Sequence, residues 1–318
     1  MSKRHQDLKI IVPQEGPLTR IDAWIASHDD RFPRSAASDT HTEFFINGNP
    51  VKKSRVVKHG DHLEVRWIEQ LFDQVEGQPI DLDIVYEDAQ LLVIDKQQHL
   101  VVHPGAGNHD GTLVHALVHR YGDRFFLSDD DDEESDSPDA LIRPGIVHRL
   151  DKDTSGIMVI AKDRQTHQHL CDQFRERTTS KFYVALVEGV LEKRRGHLET
   201  TIVRDRKDRR RFSVGAPDQG KDARTDYLVL RQFSSCALVR LRLHTGRTHQ
   251  IRVHMASIGH PVVGDPIYGR RRSAFTDATL MLHALSLELT HPVTDHRVRF
   301  RAPLPQRFSR FIRSLSIR

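Results

Sequence analysis

Most apolar residues of this chain lie in short runs typical of β-strands, and these runs do not alternate regularly with helical segments. Clear examples are residues 182–189 (FYVALVEG), 237–243 (ALVRLRL) and 298–303 (VRFRAP). Helical spacing of apolar residues is confined to a few segments, among them 111–122 and 166–175. Because a doubly wound parallel sheet needs a helix after nearly every strand, the pattern predicts an α+β fold with a mixed, largely antiparallel sheet.

The chain is long enough for two domains, and its composition changes at the places where they would join. Near the N-terminus there is only a short apolar run, which Lys9 interrupts and Pro13 closes, so we expect a flexible tail there. A polar stretch that ends at Pro79 is typical of a linker. The predicted order is a tail at 1–14, a small domain at 15–70, a linker at 71–80 and a large domain at 81–318.

Charge is distributed unevenly along the chain. Residues 129–139 (DDDDEESDSPD) hold eight acids and no base, and like charges at this density cannot pack, so we expect a disordered loop over 128–140. The other 307 residues hold 48 Lys and Arg against 36 Asp and Glu, a net charge of +12. This balance favours a polyanionic partner, above all a nucleic acid.

Several classes of protein are disfavoured by what the sequence lacks. No apolar stretch reaches the about 18 residues of a membrane span. Cys171 and Cys236 lie 65 positions apart, which argues against a disulfide framework and against a thiolate zinc site. His115 and His119 have a zinc-compatible spacing but no third ligand nearby, so no metal is expected. We therefore expect a cytoplasmic protein without a membrane partner.

The most specific string is HRLD at 148–151, followed by TSG at 154–156. It resembles the central motif of the RluA family of RNA pseudouridine synthases. The resemblance extends from about residue 82 to the C-terminus. The full set of motifs is most similar to the RluD-like branch, which modifies large-subunit ribosomal RNA. The further matches are HPG at 103–105, KFY at 181–183, LHTGRTHQIRVH at 243–254, GDP at 264–266 and YG at 268–269.

Pseudouridine formation breaks the bond from the sugar to the ring nitrogen and rejoins the sugar to carbon 5 of the same uracil. It requires no cofactor, but it requires a carboxylate beside the anomeric carbon, in a pocket that excludes water. The resemblance implies that Asp151 is the catalytic carboxylate, and its role as nucleophile or as base stays open. It also implies three substrate-binding residues: Arg247 pairs with the aspartate, Tyr183 stacks on the uracil and relays a proton, and Arg149 fills the gap left by the flipped nucleotide.

Two basic regions are candidates for contacts with RNA phosphates. Residues 15–70 resemble the S-four-like RNA-binding domain that precedes the catalytic domain in many relatives, and Arg34, Lys52 and Lys53 are its candidate contacts. The match is incomplete, because the segment after Arg34 contains few strong helix formers. Residues 204–211 hold six bases in eight positions, and we predict that they form a hairpin arm that grips RNA through Arg206, Lys207, Arg209 and Arg210.

The sequence leaves other functions open. The chain could be a non-catalytic RNA-binding or ribosome-assembly factor, although such a factor would not need Asp151, Tyr183 and Arg247 together. It could act on tRNA instead of ribosomal RNA, since target choice depends on RNA shape that the motifs do not encode. A glycosidase is less favoured, because no second carboxylate accompanies the motif. The preferred prediction is a monomer with RNA as its partner.

Overall fold

The computed structural model describes residues 2–29, 32, 36, 41–71, 75–105, 107–122, 145–205, 208, 210–216, 219–269, 275 and 277–315. The described residues form two compact units that divide between Gly77 and Gln78. The acidic segment at 128–140 and four of the candidate RNA contacts, Arg34, Arg206, Lys207 and Arg209, lie outside the described residues.

The small unit contains β1 (Ser2–Ile11), α1 (Ile21–His28), β2 (Glu43–Ile46), β3 (Asn49–Val51) and β4 (His62–Leu71). The large unit contains β5 (Asp83–Glu87), β6 (Leu91–Lys96), α2 (Leu113–Tyr121), β7 (Ser155–Ala161), α3 (Arg164–Arg175), β8 (Ser180–Glu188), β9 (Arg195–Arg204), β10 (Phe212–Val214), β11 (Lys221–Gln232), β12 (Cys236–Leu243), α4 (Gln250–Ser257), β13 (Leu282–Thr290), β14 (Arg297–Arg301) and α5 (Gln306–Leu315).

The small unit is a four-stranded antiparallel sheet in the order β1-β4-β2-β3. Asn47 and Gly48 have φ angles of 52° and 79°, and two successive positive φ angles are what a tight hairpin turn between β2 and β3 requires. Helix α1 places Trp24 and Ile25 in the same buried cluster as Val65 of β4. A single small core therefore holds this unit together.

The flexible tail predicted for 1–14 is wrong for the described residues. β1 pairs antiparallel with β4, with Leu8 opposite Val65 and Ile10 opposite Leu63. Lys9, which interrupts the apolar run, is the outward residue of an alternating strand, and its Nζ lies 3.9 Å from a carboxylate oxygen of Glu64. The strand was missed because its partner is far away in the sequence and its apolar residues are few.

The large unit is built on a ten-stranded sheet in the order β10-β9-β11-β12-β8-β13-β7-β6-β5, with β14 also paired to β13. Within the described residues of this sheet, only β7 and β13 pair in parallel. The predicted α+β class, with a mixed and largely antiparallel sheet, is confirmed.

The middle of this sheet is covered differently on its two faces. On the inner face, Ile251 and Met255 of α4 pack in one cluster with Leu241 of β12 and with Tyr183 of β8. On the outer face, Phe308 of α5 packs in another cluster with Val184 of β8. Because successive residues of a strand point to opposite faces, Tyr183 faces inward and its neighbour Phe182 faces outward.

Candidate active site

A cleft opens beside Tyr183 on the inner face. Its walls are the turn that precedes β7, strand β8, and the loop and first turn of α4. Four residues predicted from the sequence line this cleft together, and they are Arg149, Asp151, Tyr183 and Arg247.

The turn that carries Asp151 is fixed to the sheet. The Thr154 N–H donates to the Asp151 carbonyl at 3.0 Å. Gly156, which follows in β7, approaches β13 so closely that a Cβ would lie 2.3 Å from the Ala284 carbonyl oxygen, so only glycine fits. The buried Nζ of Lys96 donates to the Lys152 carbonyl at 3.2 Å. Burial lowers the pKa of Lys96 to about 7.

The cation beside Asp151 is Arg252, in the first turn of α4. Its Nη1 donates to Asp151 Oδ2 at 3.1 Å, while Nε and Nη2 each donate to a carboxylate oxygen of Asp265 at 2.8 Å. The side chains of Arg252 and Asp265 are 5% and 0% exposed. Burial opposes the charge of Arg252, but Asp265 and then Asp151 outweigh it and raise its pKa. The aspartate therefore faces a permanent, rigidly held positive charge.

The second carboxylate of this pair is itself held by the backbone. Asp265 Oδ1 accepts from the N–H groups of Ile267 and Tyr268, at 2.9 and 3.0 Å. The guanidinium carbon of Arg252 lies 5.2 Å from the centre of the Tyr268 ring, which is within cation–π range. The orientation of Arg252 toward Asp151 is therefore set by groups outside the cleft.

His249 is a neutral neighbour of Asp151. Its Nε2 lies 3.7 Å from Asp151 Oδ2, and its Nδ1 is 2.9 Å from the Tyr268 hydroxyl. That hydroxyl accepts the Phe212 N–H at 2.8 Å, so we assign its own proton to the bond with Nδ1. The imidazole proton then lies on Nε2, facing Asp151. Burial lowers the pKa of His249 although Asp151 opposes the shift.

Tyr183 presents a neutral hydroxyl to the cleft. Burial raises the pKa of the phenol well above its usual value, and the negative charge of Asp151 raises it further. The tyrosine is therefore protonated at neutral pH. A protonated hydroxyl next to a flat ring can stack on a base and also exchange a proton with it.

The predicted pairing of Arg247 with Asp151 is wrong, because Arg252 takes this place. Arg247 precedes α4, and its backbone N–H donates to Gln250 Oε1 at 3.0 Å. Its Nε donates to the Asp222 carbonyl at 2.9 Å, which directs the side chain along the rim of the cleft. Arg149 is exposed on the rim and forms no hydrogen bond or ion pair with any residue that the structure describes. Both rim arginines are therefore available to a ligand.

Comparison with known proteins identifies the family. The model of the family described as RNA pseudouridylate synthase matches residues 90–257. The chain belongs to this family. It is 37% identical to the uncharacterized RNA pseudouridine synthase YlyB of Bacillus subtilis, over 97% of this chain and 98% of the relative. It is also 40% identical to the ribosomal large subunit pseudouridine synthase D of Pseudomonas aeruginosa, over 83% of this chain and 81% of the relative.

A solved structure supports the assignment of this chain to the pseudouridine synthase family. Human RNA pseudouridylate synthase domain containing 4 is 27% identical, with a TM-score of 0.57, over 74% of this chain and 93% of that chain. The predicted family and the predicted enzyme class, an isomerase that acts on RNA, are thus confirmed.

Sequence reasoning assigned no catalytic or positioning role to four residues that lie in or behind this synthase's cleft. Arg252 and His249 lie within the LHTGRTHQIRVH string, and Asp265 and Tyr268 lie within the GDP and YG strings. All three strings were matched as motifs, so the signal was present. What the sequence lacked was the three-dimensional link between residues 252 and 265, which only the fold supplies.

The candidate RNA contacts outside the cleft are only partly described. Lys52 and Lys53 are exposed and lie just beyond the end of β3. Arg210 is exposed, and its Nη2 lies 3.2 Å from Asp208 Oδ2, so part of its charge is neutralised within the protein. Among the described residues, no group of three His, Cys, Asp or Glu could hold a metal, and no helix is long and apolar enough to cross a membrane.

Proposed function

We propose that this synthase converts specific uridines of large-subunit ribosomal RNA to pseudouridine, with Asp151 as the catalytic carboxylate. The relatives from Pseudomonas aeruginosa and Xanthomonas campestris carry the name ribosomal large subunit pseudouridine synthase D, which supports this RNA as the target. The observation that carries the role of Asp151 is its contact with Arg252 inside a cleft that also contains Tyr183.

The chemistry follows from this arrangement. Arg252 donates a hydrogen bond to Asp151 and holds its carboxylate in the cleft, where it can attack the substrate or take a proton. The bond from the sugar to N1 of the uracil breaks, the uracil turns within the cleft, and the sugar bonds to C5. The proton on C5 leaves and N1 gains one, so the reaction neither adds nor removes atoms. Tyr183 stacks on the uracil and relays the C5 proton.

The rim arginines have a separate task. A uridine in a folded RNA must leave its stack before its sugar bond can reach Asp151. Arg149 is exposed at the rim and has no described partner, so its planar guanidinium can occupy the vacated position and bind a phosphate. Arg247 holds the backbone of the flipped nucleotide. The small unit, through Lys52 and Lys53, adds phosphate contacts of the kind that an S-four-like domain makes.

The test is a map of pseudouridines in total RNA from cells with and without the gene, complemented with wild type or with Asp151→Asn. We expect one or a few large-subunit sites to disappear with the gene and to return only with wild type. If a pseudouridine disappears from tRNA instead, the target is tRNA and the proposed reaction still holds. If no site changes in the cell and purified protein leaves ribosomal RNA transcripts unmodified, the catalytic reading fails and a binding factor takes its place.

A further inference from the structure

The outer face of the large sheet carries an arginine cluster that the proposed reaction does not use. Arg240 and Arg242 of β12 and Arg299 of β14 surround the ring of Phe182, with their guanidinium carbons 5.7, 5.8 and 6.0 Å from its centre. We call these four residues the Phe182 patch. Since Phe182 and Tyr183 point to opposite faces of β8, the patch lies behind the catalytic cleft.

The arginines of the Phe182 patch are exposed and poorly neutralised. All three are exposed, and Arg299 Nε lies 3.2 Å from Glu288 Oε1. The side chains of Arg240 and Arg242 form no ion pair and donate no hydrogen bond to any residue that the structure describes. In the strand register, Arg242 lies opposite Asp226, but the carboxylate oxygens of Asp226 are engaged by His197 and His244. The guanidinium groups of Arg240 and Arg242 are therefore without an ion pair among the described residues.

The surroundings of the patch are basic as well. Residues 297–315, which form β14, α5 and the link between them, contain six arginines and no acid. Arg301 of β14 and Arg310 and Arg313 of α5 are exposed. Like charges placed together destabilise a fold unless an anion joins them, and an array of planar guanidinium groups matches phosphate geometry.

We infer that the Phe182 patch binds the phosphate backbone of double-helical RNA that flanks the target uridine. The inference rests on the proposed function, because it takes the flanking RNA from the same substrate. Once the target loop is in the cleft, a helix of the same RNA reaches the patch at a high effective concentration, so weak phosphate contacts add to affinity. The contacts are independent of sequence, since no base-reading group accompanies the arginines.

The first experiment measures binding of the full chain to a large-subunit ribosomal RNA transcript over a range of salt concentrations. The variant is Arg240→Gln with Arg242→Gln, and the matched control is Lys193→Gln with Arg194→Gln, which removes two exposed charges elsewhere in the same unit. We expect the patch variant to lower the slope of log K against log salt by about two and to raise Kd by about fivefold or more. The control should change both much less.

The second experiment separates this inference from the proposed function. Conversion of a short stem-loop around the mapped uridine should keep wild-type kcat and KM in the patch variant, because the cleft is untouched. Equal salt slopes for the patch and control variants would overturn the inference, even if conversion is normal. A loss confined to intact ribosomal particles, with normal binding to naked RNA, would also overturn it and indicate a protein partner. If wild type converts nothing, the proposed function fails while the salt slopes still decide the inference.

Discussion

Arginines have opposite roles in two parts of the cleft: the floor, which holds Asp151 and Arg252, and the rim, which holds Arg149 and Arg247. On the floor, Arg252 is buried and its donors are shared between Asp151 and Asp265. On the rim, Arg149 is exposed and has no partner among the described residues. A buried and fully paired cation fixes the position of a reacting group, whereas an exposed and unpaired cation is available to the ligand. The difference separates the groups that perform the reaction from those that select the RNA.

The largest expected effect is at Asp151 itself. Asp151→Asn keeps the shape of the side chain but removes its charge, so conversion of uridine should fall by about 1,000-fold or more, while Kd for RNA stays within about threefold. Single-turnover assays and binding isotherms on the same transcript measure both. Substantial conversion by pure Asp151→Asn would show that the floor is not the reacting region.

Arg252 tests whether the floor is also a structural unit. Arg252→Gln leaves the carboxylates of Asp151 and Asp265 without their shared cation, and Asp265 is fully buried. We expect the free energy of unfolding to fall by about 3–5 kcal/mol, as measured by denaturant titration. Arg252→Lys should recover part of the stability, because it restores the charge but not the bidentate geometry. Unchanged stability in Arg252→Gln would mean that the pair contributes nothing to the fold.

For the rim arginines we expect a clear effect on KM and little effect on the free energy of unfolding. Arg149→Gln should raise KM by about tenfold, because one phosphate or stacking contact is lost, and should change the free energy of unfolding by less than about 0.5 kcal/mol. Arg247→Gln should behave in the same way, apart from a small loss from its bond to the Asp222 carbonyl. Arg194→Gln is the matched exposed control. A large loss of stability in Arg149→Gln would contradict this prediction and show that Arg149 has a structural role like that of Arg252.

The same contrast explains what the sequence could and could not predict. Asp151, Tyr183 and Arg149 were found because each lies in a short string with fixed spacing, and the structure brings them to one cleft. The partner of Asp151 was misassigned because the string TGRTHQIR offers two arginines, Arg247 and Arg252. The choice depends on where α4 begins, and a sequence pattern locates helix ends poorly. Asp265 could not be linked to the site because it is adjacent only in space.

The overall fold class was predictable for a similar reason. Alternating apolar runs such as β12 are local, so the antiparallel sheet was expected from them. β1 was not expected, because Leu8 becomes buried only through its pairing with β4. Local signals therefore predicted the centre of each unit better than its edges.

The smallest expected effect is a loss of folding stability at acidic pH, and it depends on a buried histidine of α4. His254 of α4 is completely buried, and its ring nitrogens are hydrogen-bonded to Thr225 and Thr200 at 2.9 Å each. Burial lowers the pKa of His254 to about 4, below its ordinary value of about 6.5. Between these two values the unfolded chain binds more protons than the folded one. The contribution of the neutral His254 ring to stability is therefore complete above about pH 6.5 and is lost as the pH falls toward 4.

This predicts a difference in pH dependence between two matched variants. When the pH falls from 7.5 to 5.5, the free energy of unfolding of the wild type should fall by about 1 kcal/mol, because His254 is protonated only in the unfolded chain. His254→Gln cannot titrate at this position and should not show this loss. His119→Gln replaces an exposed histidine and should keep the wild-type slope. Other buried histidines contribute equally to all three proteins, so the difference between slopes isolates His254. If His254→Gln and wild type lose stability in parallel, the buried ring does not resist protonation, and the floor is less dry than the packing of α4 implies.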